Sequence, residues 1–453
     1  MIFLQDKRND FTKGSVARNI MSLAVPMTVA QLINVLYSVI DRIYIGHLPE
    51  NATLALTGLG LTFPILMIVM AFANLIGMGG APLCSIERGK GNDDEAERIT
   101  GNAFSLLVIL SIVLMAVFFT FKREILFLFG ASGSTFPYAD AYLSYYLAGS
   151  LFVMLGLGMN FFINAQGFAK FGMVTVLIGA VLNIVLDPIF IFLLDLGVKG
   201  AAIATVISQF ASAAWVMRFL TSKKAIYRIR RRYLIPGRQI TLQIISLGLS
   251  GFIFSVTNSL VQIVCNITLF AWGGDIYVGV MTVLNSVRMV LQMPIDGIRS
   301  GAQPVLGFNY GAKKYERVRT GIAFLTKITL GYTVLAWIVL MIFPHGFIHM
   351  FNSEPEMIDA GVPAMTIYFF GFFMMAFQSA GQTTFVSLGK GGYATFFSLF
   401  RKAILVVPLT IWLPHVGNLG VNGVFYAELI SNFVGGGACY ATMMMTVWRR
   451  LKN

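Results

Sequence analysis

The stretch GNAFSLLVILSIVLMAVFFTF, from Gly101 to Phe121, decides the fold because it holds no charged residue. At about 1.5 Å per residue, a helix of this length measures roughly 31 Å, enough to cross the ~30 Å hydrocarbon core of a bilayer. Strands of membrane barrels need only about ten residues, so the run is too long for a barrel. The chain around it is 57% hydrophobic and 12% charged, whereas soluble domains are about 25% charged. The sequence therefore predicts an all-α polytopic membrane protein.

Apolar runs of this kind recur along the whole 453-residue chain. About twelve are long enough to cross a bilayer as helices. The first is too long for the apolar core of a signal peptide and has no small-residue cleavage site, so we expect it to be retained. The predicted transmembrane segments are residues 16–46, 54–84, 101–121, 139–165, 171–194, 199–220, 240–272, 277–306, 321–344, 358–388, 393–414 and 421–447.

The net charge of +13 comes mainly from the loops between these segments. Lys and Arg are concentrated in alternate loops, which is the distribution that the positive-inside rule describes. It predicts a multi-pass protein of the plasma membrane with both termini in the cytoplasm, and it explains the basic charge without a nucleic-acid partner. The basic stretches are residues 7–18, 88–98, 223–238, 313–319 and 449–452.

Two pairs of stretches match each other across the chain. GKGNDDEAERITGNAF (89–104) shares a Gly, a Thr-Gly pair and an Ala-Phe pair with NYGAKKYERVRTGIAF (309–324), at an offset of about 220 residues. VKGAAIATVISQF (198–210) matches VNGVFYAELISNF (421–433) at about half of its positions. Such self-similarity indicates an internal duplication.

The duplication predicts two lobes of six helices each. An even number of segments per copy gives both copies the same orientation in the membrane. We predict an N-terminal lobe over residues 1–222, a basic cytoplasmic linker over 223–238, and a C-terminal lobe over 239–453. Rocking of one lobe against the other is a mechanism that this design suits.

Four polar residues of the N-terminal half fall at one predicted depth, in the outer part of the membrane. Asp41 in YSVIDRIYIGHL and Asp187 in AVLNIVLDPIFIF lie in segments that run in the same direction. Asn183 precedes Asp187 by four residues and so shares its helix face. An ionisable group near the bilayer centre costs about 2.5–3.5 kcal/mol, so such residues are functional candidates by default. We predict a proton or cation site at Asp41, Asn183, Asp187 and Thr205.

Two prolines lie in the same helices as the carboxylates. Pro26 and Pro188 each lack an N–H donor and therefore free a carbonyl in the preceding turn. Freed carbonyls and carboxylates together are typical of cation sites in transporters. A structural pair between Asp41 and Arg42 is the alternative, but adjacent residues of a helix do not face each other.

The C-terminal half lacks these carboxylates. It has no counterpart of Asp41, and Val407 stands where the repeat would place a second Asp187. Glu428 occupies the position of Thr205, and we predict it as a substrate-binding candidate. Asp296 and Arg299, one turn apart, are predicted to form a structural ion pair.

Together these stretches resemble the multidrug and toxic compound extrusion (MATE) family over nearly the whole chain. The resemblance rests on AVPMTVAQLINVLYSVIDRIYIGHL (24–48), NAQGFAKFGMVTVLIGAVLNIVLDPIFIF (164–192), GVKGAAIATVISQF (197–210) and GAQPVLGFNYGAKKYERVRTG (301–321). It implies twelve helices in two lobes around a central cleft. It also implies export of amphipathic, often cationic, compounds in exchange for H⁺ or Na⁺, with no cofactor other than that ion.

The resemblance also implies roles for single residues. The ion site, with Na⁺ as its one possible metal, would be built from the four polar residues named above. Pro26 would be the point where the first helix bends. The positions that match the substrate pocket of the N-terminal lobe are Asn34, Tyr37 and Asn160.

Two other functions stay open at this point. A lipid-linked precursor flippase of the same superfamily would need several cations to hold pyrophosphate, and the segments offer only Arg42, Arg288, Arg299, Arg401 and Lys402. A passive channel would not need paired carboxylates beside prolines.

No catalytic motif stands out. A nucleophile elbow, a Walker loop and a dinucleotide fingerprint are all missing from the sequence, so we do not expect an enzyme. We expect a monomer in the lipid bilayer that handles small drugs. Carboxylates with Asn and Thr can hold either H⁺ or Na⁺, so the residues leave the coupling ion open.

Overall fold

A computed structural model describes residues 11–46, 52–351 and 354–451, without the side chains of residues 38, 39, 42, 43, 46, 52 and 53. These ranges are helical and contain no strand, so the predicted all-α fold is confirmed. The helices are α1 Val16–Gly46, α2 Ala52–Gly89, α3 Asp93–Leu128, α4 Phe136–Ala148, α5 Ser150–Ala165, α6 Ala169–Pro188, α7 Gly197–Leu220, α8 Arg238–Gly311, α9 Tyr315–Ile342, α10 Pro344–Phe351, α11 Pro355–Phe369, α12 Met375–Ser387, α13 Gly391–Leu399, α14 Val407–Trp412 and α15 Asn422–Thr446.

Nine helical stretches in the described part of the chain are long and apolar enough to cross a membrane. The bent pair α4 and α5, which meet at Gly149 at an angle of 56°, raises this number to ten. Helix α8 covers two predicted segments, because its 74 residues are interrupted at Gly274, where φ is 70° and ψ is −167°. Only glycine adopts this conformation readily. Helix α15 covers the last predicted segment.

Proline alters the hydrogen bonding of one helix in each half. Pro188 ends α6, and Ile189–Leu193 continue as a π-helix. In the other half the π-helix Phe400–Val406 comes first and Pro408 follows it. A proline cannot donate to the preceding turn, and a π-turn is one way in which a helix accommodates such a defect. Irregular helix therefore lies beside Asp187 and around Arg401, at related places of the repeat.

The chain divides into two compact units. Unit 1 comprises Val25–Gly248, and unit 2 comprises Phe11–Ala24 together with the chain from Leu249 onward. The boundary therefore cuts α1 one residue before Pro26. This division differs from the predicted bounds of 1–222, 223–238 and 239–453.

The first turns of α1 pack in unit 2 for identifiable reasons. Arg317 donates hydrogen bonds to the carbonyls of Gly14 and Phe11, both at 3.0 Å. The backbone at Ala24 comes so close to Gly301 that a Cβ there would lie 2.6 Å from the Ala24 nitrogen. Only a glycine permits this approach.

The predicted linker, residues 223–238, is packed within unit 1. Asn102 donates to the carbonyl of Tyr233 at 3.0 Å and accepts from the Gly237 nitrogen at 2.6 Å. Gln166 accepts from the Ile226 nitrogen at 2.6 Å, and Tyr227 is fully buried. Backbone groups of a loop need partners, and these side chains provide them. The stretch is thus held within unit 1 by specific contacts.

Helix α2 and the start of α8 touch backbone to backbone within unit 1. A Cβ at Gly79 would overlap the carbonyl of Ile244, and one at Gly248 would overlap the carbonyl of Leu75. Both obstacles are main-chain atoms, which cannot swing aside as a flexible side chain would. The two glycines therefore set the distance between these helices.

We expect Gly79→Ala to lower the free energy of unfolding by about 1–3 kcal/mol, because the added methyl group forces the two helices apart. Thermal unfolding of the purified protein measures this loss. Gly60→Ala is the matched control, since it lies in the same helix with no atom within 4 Å of its Cβ position. An equal loss of stability in both variants would contradict the packing argument.

Candidate functional site

Helices α6 and α7 bring three of the predicted site residues together. The Asn183 amide donates to the Asp187 carboxylate at 3.1 Å and approaches the Thr205 hydroxyl at 3.4 Å. Asp187 has no exposed surface, and Asn183 and Thr205 are also buried. The four-residue spacing on α6 places the first two on one face. The bond between α6 and α7 then fixes the site on two neighbouring helices.

Asp41 of α1 completes the set. Its carboxyl group lies close to that of Asp187, near enough for a hydrogen bond when one of the two groups is protonated. A hydrogen bond between two carboxyl groups needs one proton between them, and without that proton the two negative charges repel each other. The pair can therefore hold a proton or a cation. The side chain of Arg42, the alternative partner, lies outside the described residues.

Two oxygen atoms of the site residues on α6 accept no hydrogen bond from an N–H or hydroxyl group of the described residues. They are Oδ1 of Asn183 and Oδ2 of Asp187, and both are buried. Buried acceptors are normally satisfied. Amide and carboxylate oxygens are the donors that a hard cation prefers, so the site has the chemistry to bind Na⁺ as well as H⁺. No group of three or more His, Cys, Asp or Glu suited to a metal occurs in the described ranges.

Two tyrosines of α4, which are not among the predicted site residues, also belong to the site. Tyr142 lies beside Thr205, with which its hydroxyl has a polar interaction, and in the electrostatic field of Asp41. Tyr146 stacks on Tyr142 with 6.3 Å between ring centroids and lies close to Tyr37. Their signal in the sequence is the four-residue spacing of tyrosines within an apolar segment, which places both on one helix face.

The predicted pocket residues are not all in one place. Tyr37 lies close to Tyr146 and therefore belongs to this site. Asn34 lies one turn before Tyr37 on α1. Asn160 instead donates to the carbonyl of Gly172 at 3.2 Å. Gly172 precedes Asn183 by eleven residues, which is about 16 Å along α6. Asn160 therefore lies at another depth from the carboxylate site.

Glu428 is held by three cations of unit 2. Its carboxylate lies 2.6 Å from Arg401, 3.0 Å from Arg288 and 3.3 Å from Lys402. In the sequence these cations are separate candidates for a flippase, and their common contact with Glu428 appears only in the structure. Glu428 lies 27 residues after Arg401, 26 after Lys402 and 140 after Arg288, so no local spacing in the sequence indicates that these residues meet. The predicted Asp296–Arg299 pair forms at 3.2 Å.

A family model, MatE, matches residues 26–189 and 251–412, which is most of each half of the chain. The chain belongs to the MatE family. A MatE protein is a multi-pass membrane transporter and not an enzyme.

Relatives and solved structures agree over nearly the full length of this MatE chain. The multidrug export protein MepA of Staphylococcus saprophyticus is 25% identical over 445 residues, which cover 97% of this chain and 95% of that protein. MepA of Staphylococcus aureus strain NCTC 8325 is also 25% identical over 97% of the chain and 95% of its own length.

Among solved structures, a MATE transporter in a bent conformation superposes with a TM-score of 0.92 at 24% identity, over 98% of both chains. The outward-facing structure of a multidrug resistance MATE family transporter gives 0.90 at 24% identity, over 99% of both chains. The fold of this MatE protein is therefore that of the MATE transporters.

We expect Tyr142→Phe to lower the free energy of unfolding by about 0.5–1.5 kcal/mol, because it removes a buried polar interaction with Thr205. The shift in the midpoint of thermal unfolding measures this effect. Tyr145→Phe is the control on the same helix, since Tyr145 is 42% exposed. Equal midpoints for the two variants would show that the Tyr142 hydroxyl does not support the site.

Proposed function

We propose that this MatE protein exports amphipathic, cationic drugs in exchange for H⁺ or Na⁺ by alternating access. The observation that carries the proposal is the buried contact between Asp41 and Asp187, with Asn183 bonded to the second carboxylate. A charged group buried in a membrane protein is costly and marks ion pathways in transporters. Relatives named multidrug export proteins support the substrate class.

Exchange follows because the organic cation and the coupling ion compete for the same carboxylates. When the carboxylates are ionised, unit 1 offers negative charge that attracts an organic cation. Binding of H⁺ or Na⁺ between Asp41 and Asp187 neutralises that charge and weakens the attraction. Linkage requires the effect to be mutual, so that the substrate also weakens binding of the ion. The ion then drives release of the drug on the outer side.

Helix α1 is the element that would transmit the change. Its first residues, up to Ala24, pack in unit 2, and the rest packs in unit 1. Pro26 lies just after this boundary and removes one hydrogen bond from the helix. Asp41 follows on the same helix. A proton or Na⁺ at Asp41 would therefore favour one bend of α1 at Pro26, and Pro188 would provide a second hinge beside Asp187.

The substrate pocket is proposed to include Asn34 and Tyr37, with Tyr146 beside them. Aromatic faces attract organic cations, and their apolar area suits amphipathic compounds. Asn160 would contact substrates at a second depth. Glu428 contributes less to cation binding, because Arg401, Lys402 and Arg288 compensate its charge.

We further propose a monomer in the plasma membrane with both termini in the cytoplasm. One chain contains both copies of the repeat, so a second chain is not needed to complete it. The basic loops give the orientation. The coupling ion is the only bound ion that the proposal requires.

A lipid-linked precursor flippase is the second candidate. The observation in its favour is the set of three cations around Glu428, since a pyrophosphate needs several charged donors. The carboxylate pair of unit 1 argues against it, because Asp41 and Asp187 would repel an anionic head group. Transport of an organic cation by purified protein would favour the exporter.

In proteoliposomes with an imposed pH or Na⁺ gradient, the wild-type protein is expected to move tetraphenylphosphonium against its concentration gradient. Asp41→Asn and Asp187→Asn should each reduce this transport at least about tenfold, because an amide neither releases a proton nor binds a cation with full charge. Asp195→Asn is the control, since Asp195 is exposed and its positive φ suits Asn. Full transport by Asp41→Asn would rule out the proposed coupling site.

The coupling ion is identified by varying one gradient at a time. If H⁺ is the driver, uptake should follow the pH difference at equal Na⁺ and be abolished by a proton ionophore. If Na⁺ is the driver, uptake should follow the Na⁺ difference at equal pH. Uptake that depends on neither gradient would favour a passive pathway over an exchanger.

A further inference from the structure

Unit 2 contains a buried cluster of charges that the exchange mechanism does not use. We call Arg288, Arg401, Lys402 and Glu428 the basic cluster. Arg401 contacts Glu428 at 2.6 Å, and Arg288 donates a second bond to the hydroxyl of Tyr368 at 2.7 Å. Arg401 and Lys402 are each only 1% exposed. The cluster therefore lies inside the helical core of unit 2.

Charge is not balanced in this cluster. Three cations face one carboxylate, so the group carries an excess of two positive charges when every member is ionised. Arg401 follows the start of α13 at Gly391 by ten residues, about 15 Å, or half of a ~30 Å hydrocarbon core. Unpaired charge at this depth is strongly unfavourable. An anion beside the cluster would reduce this cost.

Arg401 has free donors in addition to excess charge. A guanidinium has five N–H donors, and Nη2 uses two of them, for Glu428 and for Asn432 at 2.6 Å. Nε and Nη1 are buried and have no acceptor among the described residues. Buried donors are normally paired, and arginine donors favour carboxylates and other anions. The free donors therefore identify where an anion would bind.

The side chain of Arg401 is held in place by its surroundings. A Cβ at Gly435 of α15 would lie 3.0 Å from Cγ of Arg401, so the glycine allows the arginine stem to pack against this helix. The π-helix that carries Arg401 and Lys402 brings both adjacent residues to Glu428. The donors are thus preorganised, which lowers the cost of binding.

The two units gather side chains of opposite charge around positions that the repeat relates. Thr205 of the carboxylate site corresponds to Glu428, and Asp187 corresponds to Val407. One copy of the repeat thus gathers carboxylates and the other gathers cations. Arg288 is the most exposed cation of the basic cluster, with 18% of its side chain accessible, so this side of the cluster lies nearest to the surface of unit 2.

We propose that unit 2 binds one small monovalent anionic group at Nε and Nη1 of Arg401, with Arg288 and Lys402 supplying additional charge. The group is either a halide such as chloride or the carboxylate of an organic molecule. Glu428 neutralises part of the cluster and so limits the affinity for this anion. The site does not depend on the proposed exchange of cations.

Anion binding is measured by thermal unfolding of the purified full-length protein at constant ionic strength and pH, with a bulky sulfonate, which is neither a halide nor a carboxylate, as the only background anion. Chloride and acetate are titrated separately. The wild-type protein is expected to show a saturable rise in the unfolding midpoint with at least one of them. A rise with chloride alone identifies a halide site, and a rise with acetate identifies a carboxylate site. Absence of a saturable rise with both anions overturns the proposal.

Variants distinguish a binding site from a purely structural ion network. Arg401→Gln should abolish the anion-dependent rise. Glu428→Gln should lower the half-saturating anion concentration by about tenfold or more, because a nearby negative charge is removed. A purely structural network predicts no such gain. An unchanged or weaker affinity in Glu428→Gln overturns the proposal.

Two further variants keep the test decisive if Arg401→Gln is too unstable to purify. Arg288→Gln, at the accessible side of the basic cluster, should weaken anion binding at least several-fold. Arg299→Gln is the control, because Arg299 belongs to the separate pair with Asp296 in the same unit. Equal anion affinity in Arg288→Gln and Arg299→Gln overturns the proposal.

Discussion

Charge inside a hydrophobic bundle must be compensated, and this constraint accounts for the main polar features of the protein. In unit 1 the carboxyl groups of Asp41 and Asp187 lie together, with the Asn183 amide as the donor to the second. The neutral Asn183 amide reduces the cost of burying the Asp187 carboxylate, but it does not cancel the repulsion between the two carboxylates. A site that needs a proton or a cation for stability is also suited to exchange one.

The two copies of the repeat compensate buried charge in different ways. Both copies place a proline and a π-helix in the segment that carries the key charge, but on opposite sides of Pro188 and Pro408. The packing of glycines, such as Gly79 against the backbone of α8, fixes the helices around these segments. A common framework thus supports carboxylates in one unit and the basic cluster in the other.

Local patterns predicted much of the architecture. Apolar runs, the 220-residue offset and the Asn183–Asp187 spacing are readable from nearby residues, and the helices and the site on α6 follow from them. The contact of Arg288 with Glu428 joins residues 140 positions apart, so no local pattern indicates it. The boundary of the units inside α1 depends on tertiary packing against Gly301, which sequence spacing also does not encode.

The central claim is that an organic cation and the coupling ion compete for Asp41 and Asp187. Calorimetric titration of the purified protein with tetraphenylphosphonium tests it directly, in buffers of different protonation enthalpy and with or without Na⁺. The account predicts that binding of the cation releases a proton or displaces Na⁺, and that the double variant Asp41→Asn, Asp187→Asn loses this release. Binding of the cation with no displacement of either ion in the wild-type protein would contradict it.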